Sequence, residues 1–165
     1  MNLTGAGVPA DVEFARLAFE RTTLAIPMRD LRSLEPMLDV VAAPPGGCLA
    51  GVLSLGEARC PVYCLTDALQ LTDVVPPAHR ICALIDDGAM LFGLVCSAVG
   101  ALPAGAMVET PVPPCMEHSA SPIDKFVLHR GQVMWRTSGA RLGQFFAAAA
   151  DGRESSAAPA AWDPQ

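Results

Sequence analysis

Gly51-Val52-Leu53-Ser54-Leu55-Gly56-Glu57-Ala58-Arg59-Cys60-Pro61-Val62-Tyr63-Cys64-Leu65 reads as an apolar strand, a tight polar turn and a second strand that carries a proline. Proline has no amide hydrogen to give to a ladder, so the second strand is expected at a sheet edge, or bulged, at Pro61. An edge offers unpaired backbone groups and apolar side chains to another protein.

The rest of the chain continues in short strands. Val12 to Phe19 and Thr22 to Ile26 flank a Glu20-Arg21 turn, and Leu24, Ile26 and Met28 fall at period two, which buries one face. Pro44-Pro45-Gly46-Gly47 is a strong turn. Thr66 to Leu71 has the length of one helical turn capped by Thr66, and Val74 to Ala78 is a loop. Arg80 to Asp86 and Ala89 to Cys96 surround Asp87-Gly88, whose residues tolerate the positive φ of a hairpin. Ile81, Ala83 and Ile85 fall on one face of this run and Cys82 and Leu84 on the other, all apolar. Strands buried on both faces sit between two packed layers. The proline-rich stretch Leu102 to Pro122 reads as a long irregular connection, and Phe126 to His129 with Gln132 to Arg136 forms a hairpin around Arg130-Gly131.

One helix is expected. Leu142, Phe145, Phe146 and Ala149 repeat at i, i+3, i+4 and i+7 behind an N-cap at Ser138, with Asp151-Gly152 as the stop. Residues 1–10 form a flexible arm, 11–150 one domain and 151–165 a disordered tail rich in Ala, Ser and Pro. The chain is therefore mainly β with a C-terminal helix.

Composition limits the function. The 165 residues suffice to bury roughly two-thirds of the unfolded surface, so neither metal nor disulfide is needed for folding. With 52% hydrophobic and 17% charged residues the chain is not a disordered one, and with 5% aromatics its core is built from Val, Leu, Ala and Met. A net charge of −6 argues against nucleic acid as a partner. There is no apolar run of membrane-spanning length, and Met1 to Ala10 lacks the basic start and apolar stretch of a secretory signal, so a cytoplasmic location is expected. The six cysteines (Cys48, Cys60, Cys64, Cys82, Cys96 and Cys115) then read as small buried hydrophobes.

No catalytic constellation assembles. Cys60 and Cys64 on one strand stand roughly 13 Å apart, too far to share an ion, and Cys115-x2-His118 lacks a second ligand pair. Ser54 has Val52, not glycine, two residues before it, so it is no nucleophile elbow, and no spacing singles out His79, His118 or His129 to serve it. Asp86-Asp87 is explained by its turn, and Trp162 reads as a stray tail aromatic. Catalytic residues, metal and cofactor are all expected to be absent.

The central stretch resembles the CheW-like coupling proteins, the small adaptors that join chemoreceptors to a histidine kinase. Their pattern Gly-Val-Ile-Asn-Leu-Arg-Gly-x-x-x-Pro-Val-x-Asp-Leu is met in register by Gly51, Val52, Leu55, Pro61, Val62 and Leu65, but not by Ser54, Gly56, Glu57 or Cys64. The resemblance, over about residues 12–150, implies two intertwined five-stranded SH3-like barrels around a shared core. It also favours an extended course for Met28 to Met37, where Leu31 and Leu34 alone would equally fit a helical turn. It implies a non-enzymatic adaptor whose partners are the CheW-like regulatory domain of a CheA-type kinase and the tip of a methyl-accepting chemoreceptor. Carried onto this chain, the partner-binding or supporting positions are Val52, Leu53, Leu55, Gly56, Glu57, Pro61 and Val62. Gly56 and Glu57 replace the usual turn arginine and glycine and shift the local charge by about two units toward negative, which points to altered coupling, as in a type IV pilus pathway. Cys96 and Thr137 stand near where family aspartates are common. The alternative is a small β-barrel enzyme or ligand carrier with a pocket between barrels.

Overall fold

Segments with period-two patterning become strands and the 3.6-period stripe becomes a helix in the computed structural model of the protein, which describes residues 12–103, 105, 107–116 and 121–156. In chain order the first strands are β1 (Val12–Ala18), β2 (Thr23–Pro27), β3 (Leu31–Pro36), β4 (Val40–Ala42), β5 (Gly51–Leu55), β6 (Ala58–Leu65) and β7 (Leu71–Thr72). They are followed by β8 (Ile81–Asp86), β9 (Leu91–Cys96), β10 (Ala98–Pro103), β11 (Val108–Pro111), β12 (Lys125–His129), β13 (Gln132–Arg136) and the helix α1 (Gly139–Ser156).

Two curled sheets result. One is six-stranded, in the order β10-β1-β2-β13-β12-β11; the other is seven-stranded, β3-β8-β9-β6-β5-β4 with β7 on β6. Each path runs from an edge strand through a hairpin to one parallel step, then through a second hairpin to the other edge. The parallel steps are β2 beside β13 (Leu24 opposite Trp135) and β9 beside β6 (Gly93 opposite Val62). One topology is thus used twice with no repeat in the sequence. The resemblance implied five strands per barrel; the ladders hold more because segments of two to four residues, β7, β4 and β11, pair onto their neighbours.

Alternation along the strands builds three cores. Phe14, Ala25, Leu102, Val127 and Met134 fill the inside of the six-stranded sheet. Leu53, Cys60, Val62, Cys64, Cys82, Leu84 and Val95 fill the inside of the other. The outer faces meet in a third, shared core, to which Leu17, Leu24 and Ile26 come from one sheet and Ala83, Ile85, Phe92 and Leu94 from the other. The expected split of β8 into two apolar faces is what divides its residues between these cores. Gly93 permits the closest approach in the seven-stranded sheet, since a Cβ there would lie 2.5 Å from Cys82 Sγ and 3.0 Å from Val62 Cγ2.

The helix closes the shared core with Leu142 and Phe146. Its N-terminus is capped twice: the Ser138 hydroxyl accepts from Arg141 N–H at 3.2 Å, and Asp30 accepts from Gly139 N–H at 2.9 Å. Gly139 packs so closely under the Asp86 carbonyl that any side chain there would collide with it. Phe146 stacks on Tyr63 (centroids 4.1 Å apart, planes 11° apart) and meets Phe92 edge-on at 5.2 Å.

Several expectations need correction. The proline strand β6 is not an edge: it has β5 on one side and β9 on the other. The proline is tolerated because β9 begins to pair only at Val62, one residue later, so on that side Pro61 has no ladder bond to supply. Met28 to Met37 holds a 3-10 turn at Met28–Asp30 followed by β3. Thr66 to Gln70 is a hairpin loop and not a helical turn, with Leu69 at φ 58° and the Thr66 hydroxyl accepting from Gln70 N–H. The connection after Leu102 contains β11. Asp151-Gly152 does not stop the helix, which runs on to Ser156 and so crosses the expected domain boundary at 150; Gly152 does not take the left-handed conformation that a stop would use. The arm at residues 1–10, His118 and Trp162 lie outside the described residues.

Candidate partner-binding surface

The β5–β6 hairpin distributes the seven expected residues among three roles. Leu53 and Val62 are buried inside the seven-stranded sheet, and Leu55 packs partly against the same cluster. They support the surface and do not contact a partner. Val52 and Pro61 sit opposite one another on the outer face, half-buried. Gly56 and Glu57 form the exposed tip, where only Gly56 takes a positive φ (62°), a conformation a glycine adopts without strain.

The surface extends beyond those residues. Val41 on β4 pairs with Val52 and is 70% exposed, so Val41, Val52 and Pro61 form one apolar row across three strands. Leu38, in the turn before β4, is 96% exposed. The six-stranded sheet repeats the row at the equivalent strands: Val108 (63% exposed) pairs with Leu128 (44%), which pairs with Val133 (64%). Opposed side chains on adjacent strands lie about 5 Å apart, so each row is a continuous patch and not scattered apolar residues. The sequence held a trace of Val41, because adjacent strand residues point to opposite faces and Val40-Val41 cannot both be inside.

Residues that carry ionic chemistry are occupied elsewhere. Asp87 Oδ1 accepts from the Ala89 and Met90 N–H groups at 2.7 Å each. The Gly88 N–H and the Arg32 guanidinium hold the Asp86 carboxyl below the usual carboxylate range. Lys125 and then Arg136 do the same for Glu109. Cys96 lies in the shared core, and Thr137, also buried, donates to the Pro122 carbonyl, so neither replaces a family aspartate with a charge. Ser54 is exposed on β5 while His79 is buried, and among the described residues no three Cys, His, Asp or Glu side chains gather as metal ligands.

The cysteines divide differently from the uniform burial expected. Cys60, Cys64, Cys82 and Cys96 are buried, Cys48 is intermediate and Cys115 is exposed. Burial pushes the Cys64 thiol up to about 11 and those of Cys82 and Cys96 to about 12. Native labelling with a thiol reagent is therefore expected to modify Cys115 rapidly, Cys48 more slowly and the other four only on unfolding; mass spectrometry of the labelled chain reads this directly. A raised folded-state value also fixes a sign. Below the ordinary thiol value of 9.0 both states are protonated, and from there up to about 12 the unfolded chain ionises first, so stability is expected to fall with rising pH across that window. Urea melts at pH 8 and 10.5 test it, and equal midpoints would contradict it.

No protein-family model matches the sequence, and no curated protein matches it. Among solved structures the chain is similar to the crystal structure of the scaffolding protein TtCheW from Thermoanaerobacter tengcongensis, with a TM-score of 0.60 over 76% of this chain and 88% of that chain at 13% identity. A likeness at that identity is one of backbone and topology. The protein has a CheW-like fold in a sequence that has diverged far from it.

Proposed function

We propose that the chain is a non-enzymatic signalling adaptor of a chemosensory system, coupling a chemoreceptor to a CheA-type histidine kinase through protein contacts alone. The observation that carries this reading is the pair of equivalent apolar rows, Val41–Val52–Pro61 and Val108–Leu128–Val133, on a fold shared with a scaffolding protein. Rows of this kind suit a CheW-like regulatory domain of the kinase as the partner, and the chemoreceptor tip is the second partner. The tip Gly56-Glu57 lacks the cation usual in such proteins and carries an acid in its place, which favours a different kinase surface, as a type IV pilus pathway would supply. The adaptor works in the cytoplasm, and no described helix is long and apolar enough to cross a membrane.

The test is capture by purified partners. The folded chain is expected to retain a kinase regulatory domain and a receptor-tip fragment at micromolar concentration. Failure to retain either would end the proposal.

A further inference from the structure

At the end of the molecule where the β1–β2 turn of one sheet meets the β6–β7 loop of the other, the seam opens into a cavity of about 510 Å3, a size typical of small-molecule sites. Phe19, Leu65, Val74 and Pro76 give it apolar walls. Glu20, Arg21 and Asp67 stand at its rim. Asp67 is already committed: it accepts from the Arg21 and Thr22 N–H groups at 2.8 and 3.1 Å and pairs with the Arg21 guanidinium at 3.4 Å. Glu20 has no ion pair among the described residues, so the rim carries one uncompensated negative charge.

His79 lines the cavity and is only 4% exposed. Its Nδ1 lies 3.9 Å from Cys64 Sγ, and Cys64 is not part of the lining. The ring therefore turns Nδ1 away from the cavity and leaves Nε2 on the cavity side. Among the described residues Nε2 is buried with no hydrogen-bond partner. Burial holds the imidazole neutral, so one nitrogen carries the proton. The Cys64 thiol has the Leu65 carbonyl as its own acceptor, at 3.9 Å. The tautomer with the proton on Nδ1 thus uses both hydrogens, S–H to Leu65 and Nδ1–H to sulfur, and presents the Nε2 lone pair to the cavity. The opposite tautomer would bury an N–H without an acceptor, which costs more.

We propose that this cavity binds a small aliphatic amine, its N–H donating to His79 Nε2, its carbon chain against Phe19, Leu65, Val74 and Pro76, and its positive charge facing Glu20. The site is separate from the apolar rows and stands or falls independently of kinase binding.

The test uses the full chain labelled with 15N-histidine and three probes of one length: butylamine, butanol and butyrate. Long-range 1H–15N spectra are expected to show His79 with an unprotonated Nε2 whose resonance moves saturably with butylamine, less with butanol and not with butyrate. Glu20→Gln, at an exposed position, is expected to weaken butylamine about threefold, the worth of one exposed ionic contact. His79→Phe is expected to weaken it about tenfold, and should it fail to fold, the Glu20 variant and the tautomer decide. A protonated Nε2, butyrate binding as tightly as butylamine, or no saturable movement with butylamine would each overturn the proposal.

Discussion

Val41→Asp is expected to leave the fold unchanged and to weaken capture of a CheW-like kinase domain by about 30-fold. The side chain already faces solvent on an edge strand, and surface changes of that kind usually cost within about 0.5 kcal/mol of stability. At a docked apolar row the same carboxylate would be stripped of water with no counter-charge, a loss of about 2 kcal/mol or more, which corresponds to the quoted factor. Val133→Asp makes the same change in the equivalent row. If the kinase uses one row, only one variant loses binding, and calorimetric titration of both identifies which. Wild-type affinity in both variants would remove the rows from the interface.

The second large effect concerns Phe146. Its ring is 2% exposed and joins the helix to Tyr63 and Phe92, so truncation empties a site walled by three elements. Phe146→Ala is expected to cost about 3–5 kcal/mol, lowering the melting temperature by about 10 °C. Phe145, only partly buried beside it, serves as the control and should cost far less on truncation. Thermal melts followed by circular dichroism settle the comparison, and equal shifts for the two would mean that the helix is not pinned as described.

Features written in neighbouring residues were legible in the sequence. Arg130-Gly131 forms its turn with both residues at positive φ, Ser138 caps the helix, and Leu142 and Phe146 are buried as their spacing requires. What the chain concealed depends on distant partners. Whether Pro61 marks an edge depends on where β9, some thirty residues later, begins to pair. Whether Val41 or Val40 faces water depends on the register with β5. The isolation of His79 needs Phe19, Cys64 and the 74–80 loop in one place, and three scattered histidines give no hint of it. The repeated topology is invisible for a related reason: strand order is kept, while side chains are free to change.

All seven strands of the second sheet lie between residues 31 and 96, whereas the first sheet joins Leu24 to Trp135 across that whole interval. The middle of the chain can therefore close its sheet early, at the lower entropic cost of short loops, before the two flanks find each other. Pulse-labelled hydrogen exchange during refolding is expected to protect the amides of β8 and β9 ahead of those of β2 and β13. A ribosome emitting this chain would release a finished half-molecule that holds its own beginning in waiting for its end.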